Sequence, residues 1–470
     1  MTHAEKMASF ISRAGCTDLS DSARLQLKIR VLDALGCAIG ALGGTVTQSI
    51  LAQIEEFGGA GLCTIIGGGR TAPDRAAFYN SALVRYLDFN DSYLAKHETC
   101  HPSDNLGAVL AACEYAGVPG RDFMTALAVA YQVQCRLSDV APVRNKGFDH
   151  TTQGSYAVAA GVSKALGLDA QRTAHALAIS GTAFNALRVT RTGSLSNWKG
   201  LAYPNTAFGC THAAFLAMRG ITGPLEVFEG NKGFMDAIAG RFEIDWSQED
   251  LERVTQTILK RYNAEIHSQS ALEGILDLKR EHGLTAPEIE QIDLEIFDVA
   301  FHIIGGGEEG EKRTVQTKEA ADHSLPYLLA VALLDDDVTP AQYAPERIRR
   351  ADVQALLQKV RVQPVKEFSD RFPGEMACRL TVQLKGGRTV SIEKRDYEGF
   401  VTRPMRWETV VRKFQRLSEP HTTPSLRERI VDTVANLETV QISQLTNLLQ
   451  DVAVTPEVMS GQGAPQYGGT

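Results

Sequence analysis

The segment from residue 88 to residue 105 concentrates side chains that can exchange protons. It combines several acids, two histidines, a lysine and several hydroxyls between two apolar, helix-like segments, 76–87 and 106–116. Connections between helices are usually short, and a long polar one between apolar neighbours usually carries function. We therefore expect a candidate active site in this segment.

Four further polar clusters lie along the chain, at 144–154, 188–200, 260–270 and 318–327. The first two join Ala-rich helices and place cations beside helix N-termini, where a bound anion is favoured. Any one of them could be an ordinary solvated loop: His267 could cap a helix, and Tyr327 could belong to a core with its hydroxyl satisfied. A functional role is indicated only where several clusters converge on one cleft between domains.

Together these clusters offer histidines, a lysine, a tyrosine and carboxylates, without a cofactor motif. Such groups suit the removal of a proton next to a carboxylate and the protonation of a leaving hydroxyl. Further cations would bind substrate carboxylates and stabilise an enediolate-like charge. The inventory is compatible with a hydro-lyase, a decarboxylase or an epimerase that acts on a small polycarboxylate.

The composition excludes several other classes of protein. With 470 residues, 44% of them hydrophobic and 22% charged, the chain is typical of a globular protein with two domains. Its formal charge of −8 argues against nucleic acid as a partner. No apolar run has transmembrane length and the start lacks a signal pattern, so we expect a cytoplasmic protein without a membrane partner. The eight scattered cysteines indicate buried thiols, and Cys100 is interpreted as a filler beside His101 rather than a nucleophile.

The spacing of apolar residues predicts how these clusters are positioned. Helical spacing dominates from residue 20 to about 260, including a segment at 247–260, and returns after residue 405. Alternation at 289–297, 377–384 and 389–394 predicts strands, the last two joined by a turn at Gly386-Gly387. The predicted fold is mainly α: a large all-helical domain formed by residues 1–265 and 401–455, an inserted smaller α+β lid domain at 266–400, and a Gly- and Pro-rich tail at 456–470.

The residues Gly305–Gly310 match the spacing G-x-G-x-x-G but do not predict a dinucleotide site. That fingerprint requires an apolar helix to begin at the glycines, and none follows here. The acidic residues in the segment would also repel a pyrophosphate. We therefore predict a mobile surface loop and expect no cofactor.

Several motifs, in conserved chain order, resemble the MmgE/PrpD family, which includes 2-methylcitrate dehydratase, cis-aconitate decarboxylase and iminodisuccinate epimerase. The motifs are Tyr86–Asp91, His101–Gly107, Ser196–Gly200, His267 after Tyr262, and Asp322–Tyr327. The resemblance implies a large helical domain with an α+β lid, activity without an iron–sulfur cluster, and a homodimer.

The resemblance also implies catalytic roles for particular residues. Asp91 and His101 fall on the acid and the histidine of the first active-site loop of the family. His150 matches the histidine ahead of the next Ala-rich helix, His267 the histidine at the domain junction, and Tyr327 a lid tyrosine that faces the cleft. Either His101 or His150 would be the base, and Tyr327 or His267 the acid.

Three more residues are expected to bind substrate. By the same resemblance, Lys199 would hold a substrate carboxylate, and Ser103 and Asp104 belong to a His-Pro-Ser-Asp loop that looks like the dehydratase branch. His97 could compete with His101 for the catalytic role, but Pro102 would fix the backbone of His101 and so favours it. A divalent ion at His101, Asp104 and Asp91 is conceivable, yet we expect no metal.

The leading hypothesis is a cofactor-independent hydro-lyase that dehydrates 2-methylcitrate or a related tricarboxylate to a cis-aconitate-type product. The alternatives are a cis-aconitate-type decarboxylase and an epimerase of imino- or aminodicarboxylates. A ligand-binding protein that keeps the fold without turnover is the alternative from another class. The partners expected are a small tricarboxylate or dicarboxylate substrate and a second copy of the chain.

Overall fold

The structure, a computed structural model, describes residues 1–193 and 195–453. The tail predicted at 456–470 lies outside these residues. The first part of the chain is mostly helical, with two pairs of very short strands. Its elements are α1 (His3–Arg13), α2 (Asp21–Gly40), α3 (Thr45–Phe57), β1 (Cys63–Thr64), β2 (Arg70–Thr71), α4 (Pro73–Tyr86), β3 (Tyr93–Ala95), β4 (Glu98–Cys100), α5 (Leu106–Ala116), α6 (Gly120–Val140), α7 (Thr151–Ala165), α8 (Ala170–Ala183) and α9 (Trp198–Met218).

The later part of the chain first mixes helices with strands and then returns to helices. Its elements are α10 (Gln269–His282), β5 (Ile289–Ile296), α11 (Asp298–Ala300), α12 (Lys318–Ala321), α13 (Leu325–Asp335), α14 (Pro345–Ile348), α15 (Ala351–Leu357), β6 (Val360–Pro364), α16 (Lys366–Arg371), β7 (Cys378–Leu384), β8 (Thr389–Lys394), α17 (Trp407–Ser418), α18 (Pro424–Ala435) and α19 (Ile442–Gln450).

Local sequence explains the long helices near the site. Ser20 caps α2 by accepting a hydrogen bond from the amide of Ala23, which is the N-terminal signal read in the sequence. Small residues let neighbouring helices approach closely: a Cβ added at Gly107 of α5 would lie 2.4 Å from the backbone nitrogen of Ser81 in α4. α4 and α5 thus pack closely at this glycine.

The later part forms one four-stranded sheet in the order β6-β5-β7-β8. Strands β5 and β6 are parallel, whereas β5 with β7 and β7 with β8 are antiparallel. The hairpin predicted around Gly386-Gly387 is confirmed, and both glycines have positive φ, which the turn requires. Strand β6 was not predicted.

Buried apolar residues form two large clusters. The first core draws on residues 4–259 and on residues 405–452, so it combines segments from both ends of the described chain. The second core draws on residues 258–400. The mainly α class is confirmed; the proposed domain boundaries at 266 and 400 remain a prediction.

Three local predictions need correction. No α-helix forms at 247–260, where a 3-10 turn at Arg253–Gln256 interrupts irregular chain. The helix predicted at 318–333 is split into α12 and α13, because Ser324 starts a new helix as its N-cap. The segment 88–105 is not a loop: it folds into the hairpin of β3 and β4 followed by a 3-10 turn at Pro102–Asn105.

Among the described residues, no single helix is both long and apolar enough to span a membrane. Only the pair α2 and α3 passes by length and composition, and its two helices are bent by 85° at their junction.

Candidate active site

A pocket of about 500 Å³ is lined by residues from positions 85–191 and by residues from positions 260–323. Its lining is unusually polar: it contains histidines, arginines, a lysine and carboxylates, and few apolar groups. The lining residues are Arg85, Asp88, Glu98, Thr99, His101, Arg144, His150, Arg188, Arg191, Lys260, Glu265, Ile266, His267, Ile303, Glu309 and His323. Such a convergence of titratable groups in a concave site is the usual mark of an active site.

His101 is held in one tautomer by the backbone. Its Nδ1 lies 2.8 Å from the carbonyl oxygen of Asp91 and 3.0 Å from Oγ of Ser92. A carbonyl oxygen can only accept, so Nδ1 carries the proton and Nε2 keeps its lone pair. Burial, and then the nearby cations Arg85 and Lys260, lower the pKa of His101 well below its usual value. The ring is therefore a neutral base.

His150 stands beside His101, with 5.4 Å between the ring centroids. Its Nδ1 lies 3.3 Å from Oδ1 of Asp149, and its Nε2 is buried without a hydrogen-bond partner. Burial lowers the pKa of His150 to about 4, although Asp149 acts in the opposite direction. Asp149 in turn is held by Arg191, whose Nε donates to its Oδ2 at 2.5 Å.

Acid is expected to weaken the fold through these two histidines. The pKa of His150 is about 4 in the native chain against an ordinary 6.5, so the unfolded chain binds more protons between these values. The neutral ring contributes its full stability at pH values above the pKa that His150 has in the unfolded chain. This contribution decreases as the pH falls toward the pKa that His150 has in the folded chain. Urea titrations at several pH values measure this decline, and His150→Gln should make it shallower. Equal slopes in both proteins would contradict the assignment.

His267 is the third histidine of the pocket, and it comes from the segment before α10. Its Nδ1 donates to Oε1 of Glu265 at 2.7 Å, and its Nε2 is buried without a hydrogen-bond partner. Burial alone would raise the pKa of Glu265, but His267 outweighs it, and the value falls to about 2. The carboxylate of Glu265 thus fixes the orientation of the ring through Nδ1.

Asp88 connects the cations at the base of the pocket. Its Oδ1 accepts from Arg85 at 2.6 Å and from Lys260 at 2.6 Å, and its carbonyl also accepts from Lys260. Burial would raise the pKa of Asp88, but Arg85 and Lys260 hold it well below its ordinary value. The three side chains are almost completely buried, so they form a fixed charge cluster.

Lys413 of α17 holds the backbone behind the site. Its Nζ donates to the carbonyls of Phe89 and Lys260, at 2.8 Å and 3.1 Å, and lies 2.7 Å from Oδ1 of Asp33. It also stands 3.7 Å above the ring of Phe89, a cation–π contact. The single ammonium of Lys413 thereby binds both the backbone segment that carries Asp88 and the one that carries Lys260.

Lys199, predicted to bind substrate, lies at a second cavity of about 440 Å³ that shares Arg85 and Asp88 with the pocket. Its Nζ lies 2.9 Å from Nδ1 of His323, 3.2 Å from Oδ1 of Asp322 and 3.5 Å from Oδ2 of Asp88. These three partners are also close enough together to ligate an ion, but the ammonium of Lys199 already contacts all of them. Lys199 thus borders the pocket rather than lining it.

Three of the predicted site residues stand behind the pocket wall. Oδ1 of Asp91 accepts from the amide of Ser103, and its Oδ2 accepts from the hydroxyl of Tyr131. Asn90 donates to both Ser103 and Asp104, each at 2.8 Å. None of the three lines the pocket, so the expectation of substrate contact is corrected for Ser103 and Asp104. Burial raises the pKa of Asp104 to about 7.

The expectation that Tyr327 faces the cleft is also corrected. Its side chain is fully buried in the second core and lines neither cavity. Its hydroxyl donates to the carbonyl oxygen of Gln342. Because the first turn of α13 points this ring into the core, His267 is the better placed acid.

Removal of the Tyr327 hydroxyl is expected to leave turnover nearly unchanged. Tyr327→Phe should cost about 1 kcal/mol of stability, the usual net value of one hydrogen bond, and change kcat by less than about threefold. Steady-state kinetics and urea titration measure the two effects. A fall in kcat of about a hundredfold, the scale of a lost general acid, would restore Tyr327 to the site.

Two neighbours of His101 are placed clearly. His97 lies in the exposed turn of the β3–β4 hairpin and does not line the pocket. Cys100 is fully buried and clusters with Tyr93, Ala95 and Cys135. Neither position suits a catalytic group.

Sequence reasoning missed several residues that line the pocket. Arg85 was hidden within an otherwise apolar helical segment, where a single arginine gives no signal. Glu309 was assigned to a mobile surface loop, yet its side chain is buried against two arginines. Glu265 lay within a noted cluster, and its spacing from His267 could have singled it out. Asp149, the neighbour of His150 in sequence, does not line the pocket but contacts Nδ1 of that histidine.

Known proteins resemble this chain along most of its length. Residues 5–247 match the family model of the MmgE/PrpD N-terminal domain, and residues 262–439 match that of the MmgE/PrpD C-terminal domain. The cis-aconitate decarboxylase of Mus musculus is 26% identical, over 96% of this chain and 94% of that protein. The 2-methylcitrate dehydratase of Salmonella typhi is 28% identical, over 70% of this chain and 71% of that protein.

The enzyme named 2-methylcitrate dehydratase from Escherichia coli strain K12 is 27% identical, over 70% of this chain and 71% of that protein. These relatives are enzymes with two different named reactions, so likeness alone does not choose between them. The two family matches together cover well over half of the sequence, including all four pocket histidines. The chain therefore belongs to the MmgE/PrpD family.

Proposed function

We propose that this chain is a cofactor-independent hydro-lyase that dehydrates 2-methylcitrate or a related tricarboxylate to a cis-aconitate-type product. One observation carries the proposal: His101, His150 and His267 are each held through Nδ1, which leaves Nε2 of each ring available in a cation-lined pocket. Imidazoles held in a fixed orientation are suited to moving protons at neutral pH. The likeness to dehydratases of the same family supports the choice of reaction.

In the proposed mechanism, Nε2 of His101 removes a proton from the carbon next to a substrate carboxylate. The electron pair of that C–H bond forms the new double bond, and the C–O bond to the leaving hydroxyl breaks. The hydroxyl takes a proton from Nε2 of His267, which enters this step as an imidazolium paired through Nδ1 with Glu265, and leaves as water. Arg85 and Lys260 stabilise the negative charge that develops on the carboxylate. Burial and the cations Arg85 and Lys260 keep the base neutral, and the ring of His150 stands beside it.

An assay with purified protein tests the proposal. 2-Methylcitrate, citrate and isocitrate are supplied separately, and the absorbance of the conjugated product is followed. Turnover with at least one of them, lost in His101→Ala, is the expected result. Wild type and His101→Ala that are equally inactive with all three would refute the dehydratase proposal.

A decarboxylase is the second candidate, because the mouse cis-aconitate decarboxylase matches over a larger share of the chain than the two dehydratases do. Release of carbon dioxide from cis-aconitate, without formation of water-addition products, would favour it. Racemisation of an iminodicarboxylate without loss of water would instead favour an epimerase.

A homodimer is proposed on the family resemblance alone. Size-exclusion chromatography with light scattering tests it, and a monomer at assay concentration would reject it.

A further inference from the structure

Two arginines of the pocket converge on a single carboxylate oxygen. Nη2 of Arg144 donates to Oε1 of Glu309 at 3.0 Å, and Nη2 of Arg188 donates to the same atom at 2.6 Å. Arg144 lies in the turn after α6, and Arg188 in the turn before α9. Glu309 comes from the segment after α11. The side chain of Glu309 is only 5% exposed.

The position of Glu309 is set by its backbone. Its amide donates to the carbonyl of His302 at 2.9 Å, and the amide of Gly310 donates to the carbonyl of Gly307. Gly306 and Gly310 both have positive φ, so the segment folds tightly back toward the pocket. The segment that sequence reasoning treated as a mobile loop is thus a structured arm that delivers one carboxylate.

Two other carboxylates of the described residues lie near these arginines, and each is bonded to other groups. Glu98, which also lines the pocket, accepts from the amides of Val143 and Arg144, both at 3.0 Å. Asp149 lies 3.7 Å from Arg188 but is held more closely by Arg191. Guanidinium groups present planar pairs of donors that match a carboxylate well. In the structure, the pair Arg144 and Arg188 binds a carboxylate of the chain itself, that of Glu309.

We propose that Arg144 and Arg188 form a carboxylate subsite of the pocket, and that Glu309 occupies it as an internal competitor that a substrate carboxylate displaces. The inference rests on the proposed function, because it assumes a polycarboxylate ligand. Glu309 thereby sets how strongly the pocket binds a third carboxylate, and so influences the choice between dicarboxylates and tricarboxylates.

Calorimetric titration with citrate tests this subsite without requiring turnover. Glu309→Gln removes the competing charge but keeps the size of the side chain, so citrate should bind at least about tenfold more tightly, the scale of one charge-assisted hydrogen bond. Glu308→Gln is the matched control: it removes the same charge from an exposed neighbour and should change citrate affinity by less than about twofold. Equal or weaker citrate binding by Glu309→Gln would overturn the proposal.

A double-mutant cycle locates the effect. In the background of Arg188→Gln, the additional change Glu309→Gln should no longer tighten citrate binding, because half of the subsite is gone. A gain that persists in this background would show that Glu309 acts elsewhere. If Glu309→Gln does not fold, Glu309→Asp keeps the charge but withdraws it by one methylene, and should still bind citrate more tightly than wild type.

The outcomes separate this inference from the proposed function. If Glu309→Gln binds citrate more tightly but no dehydratase activity is found, the proposed subsite is supported and the proposed dehydratase reaction is rejected. If dehydratase activity is found but Glu309→Gln binds citrate as wild type does, the proposed reaction is supported and the proposed subsite is rejected.

Discussion

Replacement of His101 by alanine should lower kcat with 2-methylcitrate by about 10²- to 10⁴-fold, the range lost with a general base. The reason is geometric: the proton on Nδ1 is committed to the carbonyl of Asp91, so the Nε2 lone pair is the only basic position of this ring. Citrate affinity should change little, because the cations of the pocket remain. Steady-state kinetics and calorimetric titration measure the two quantities.

His97→Ala is the matched control for this substitution. It removes the same kind of side chain only four positions away, but from an exposed turn. Its kcat should equal that of wild type. If His97→Ala lost activity while His101→Ala kept it, the assignment of the base would be reversed. Loss of citrate binding in His101→Ala would point instead to a binding role.

The second large effect is expected for stability. Asp88→Asn leaves Arg85 and Lys260 buried without their shared carboxylate, and removal of one partner from a buried charge cluster costs about 3–5 kcal/mol. Asparagine is the right replacement because Asp88 has φ of 52°, a left-handed conformation that asparagine tolerates. The free energy of unfolding from urea titration measures the loss.

Asp370→Asn provides the comparison. Asp370 pairs with Lys366 at 2.6 Å, but both side chains are largely exposed, and such pairs contribute about 0–1 kcal/mol. A similarly small loss of unfolding free energy in Asp88→Asn would mean that the burial of Arg85 and Lys260 does not depend on this carboxylate. A large loss in both would indicate a general sensitivity of the fold to lost charge.

Periodicity predicted the helices well where one face of each helix is buried. α2, α4 and α6 lie where helical spacing was predicted, and the β7–β8 hairpin lies where alternation and a Gly-Gly turn predicted it. The prediction was wrong at 247–260, where apolar residues fill the first core without regular structure. Tertiary contacts decide the conformation of such a segment, and a one-dimensional pattern does not contain them.

The site was predicted in part. His101, His150 and His267 were identified and do line one pocket, because each sits in a polar cluster at the end of an apolar element. Glu309 was missed because its partners lie far away in sequence, and Arg85 was missed because a single arginine within an apolar helical segment gives no signal. Glu309 meets Arg144 across 165 positions, a relation that no local spacing predicts. Tyr327 was oriented wrongly because sequence does not specify which way a ring points at the start of a helix.

The contact between Lys413 and the carbonyl of Phe89 joins residues 324 positions apart. A ribosome makes the chain from its N-terminus, so the segment that carries His101 emerges long before the helix that anchors it. Until α17 leaves the exit tunnel, Asp33 and the carbonyls of Phe89 and Lys260 lack the ammonium of Lys413, and the first core lacks its last helices. The backbone support behind the pocket is therefore complete only after α17 has been synthesised and has packed onto the first core.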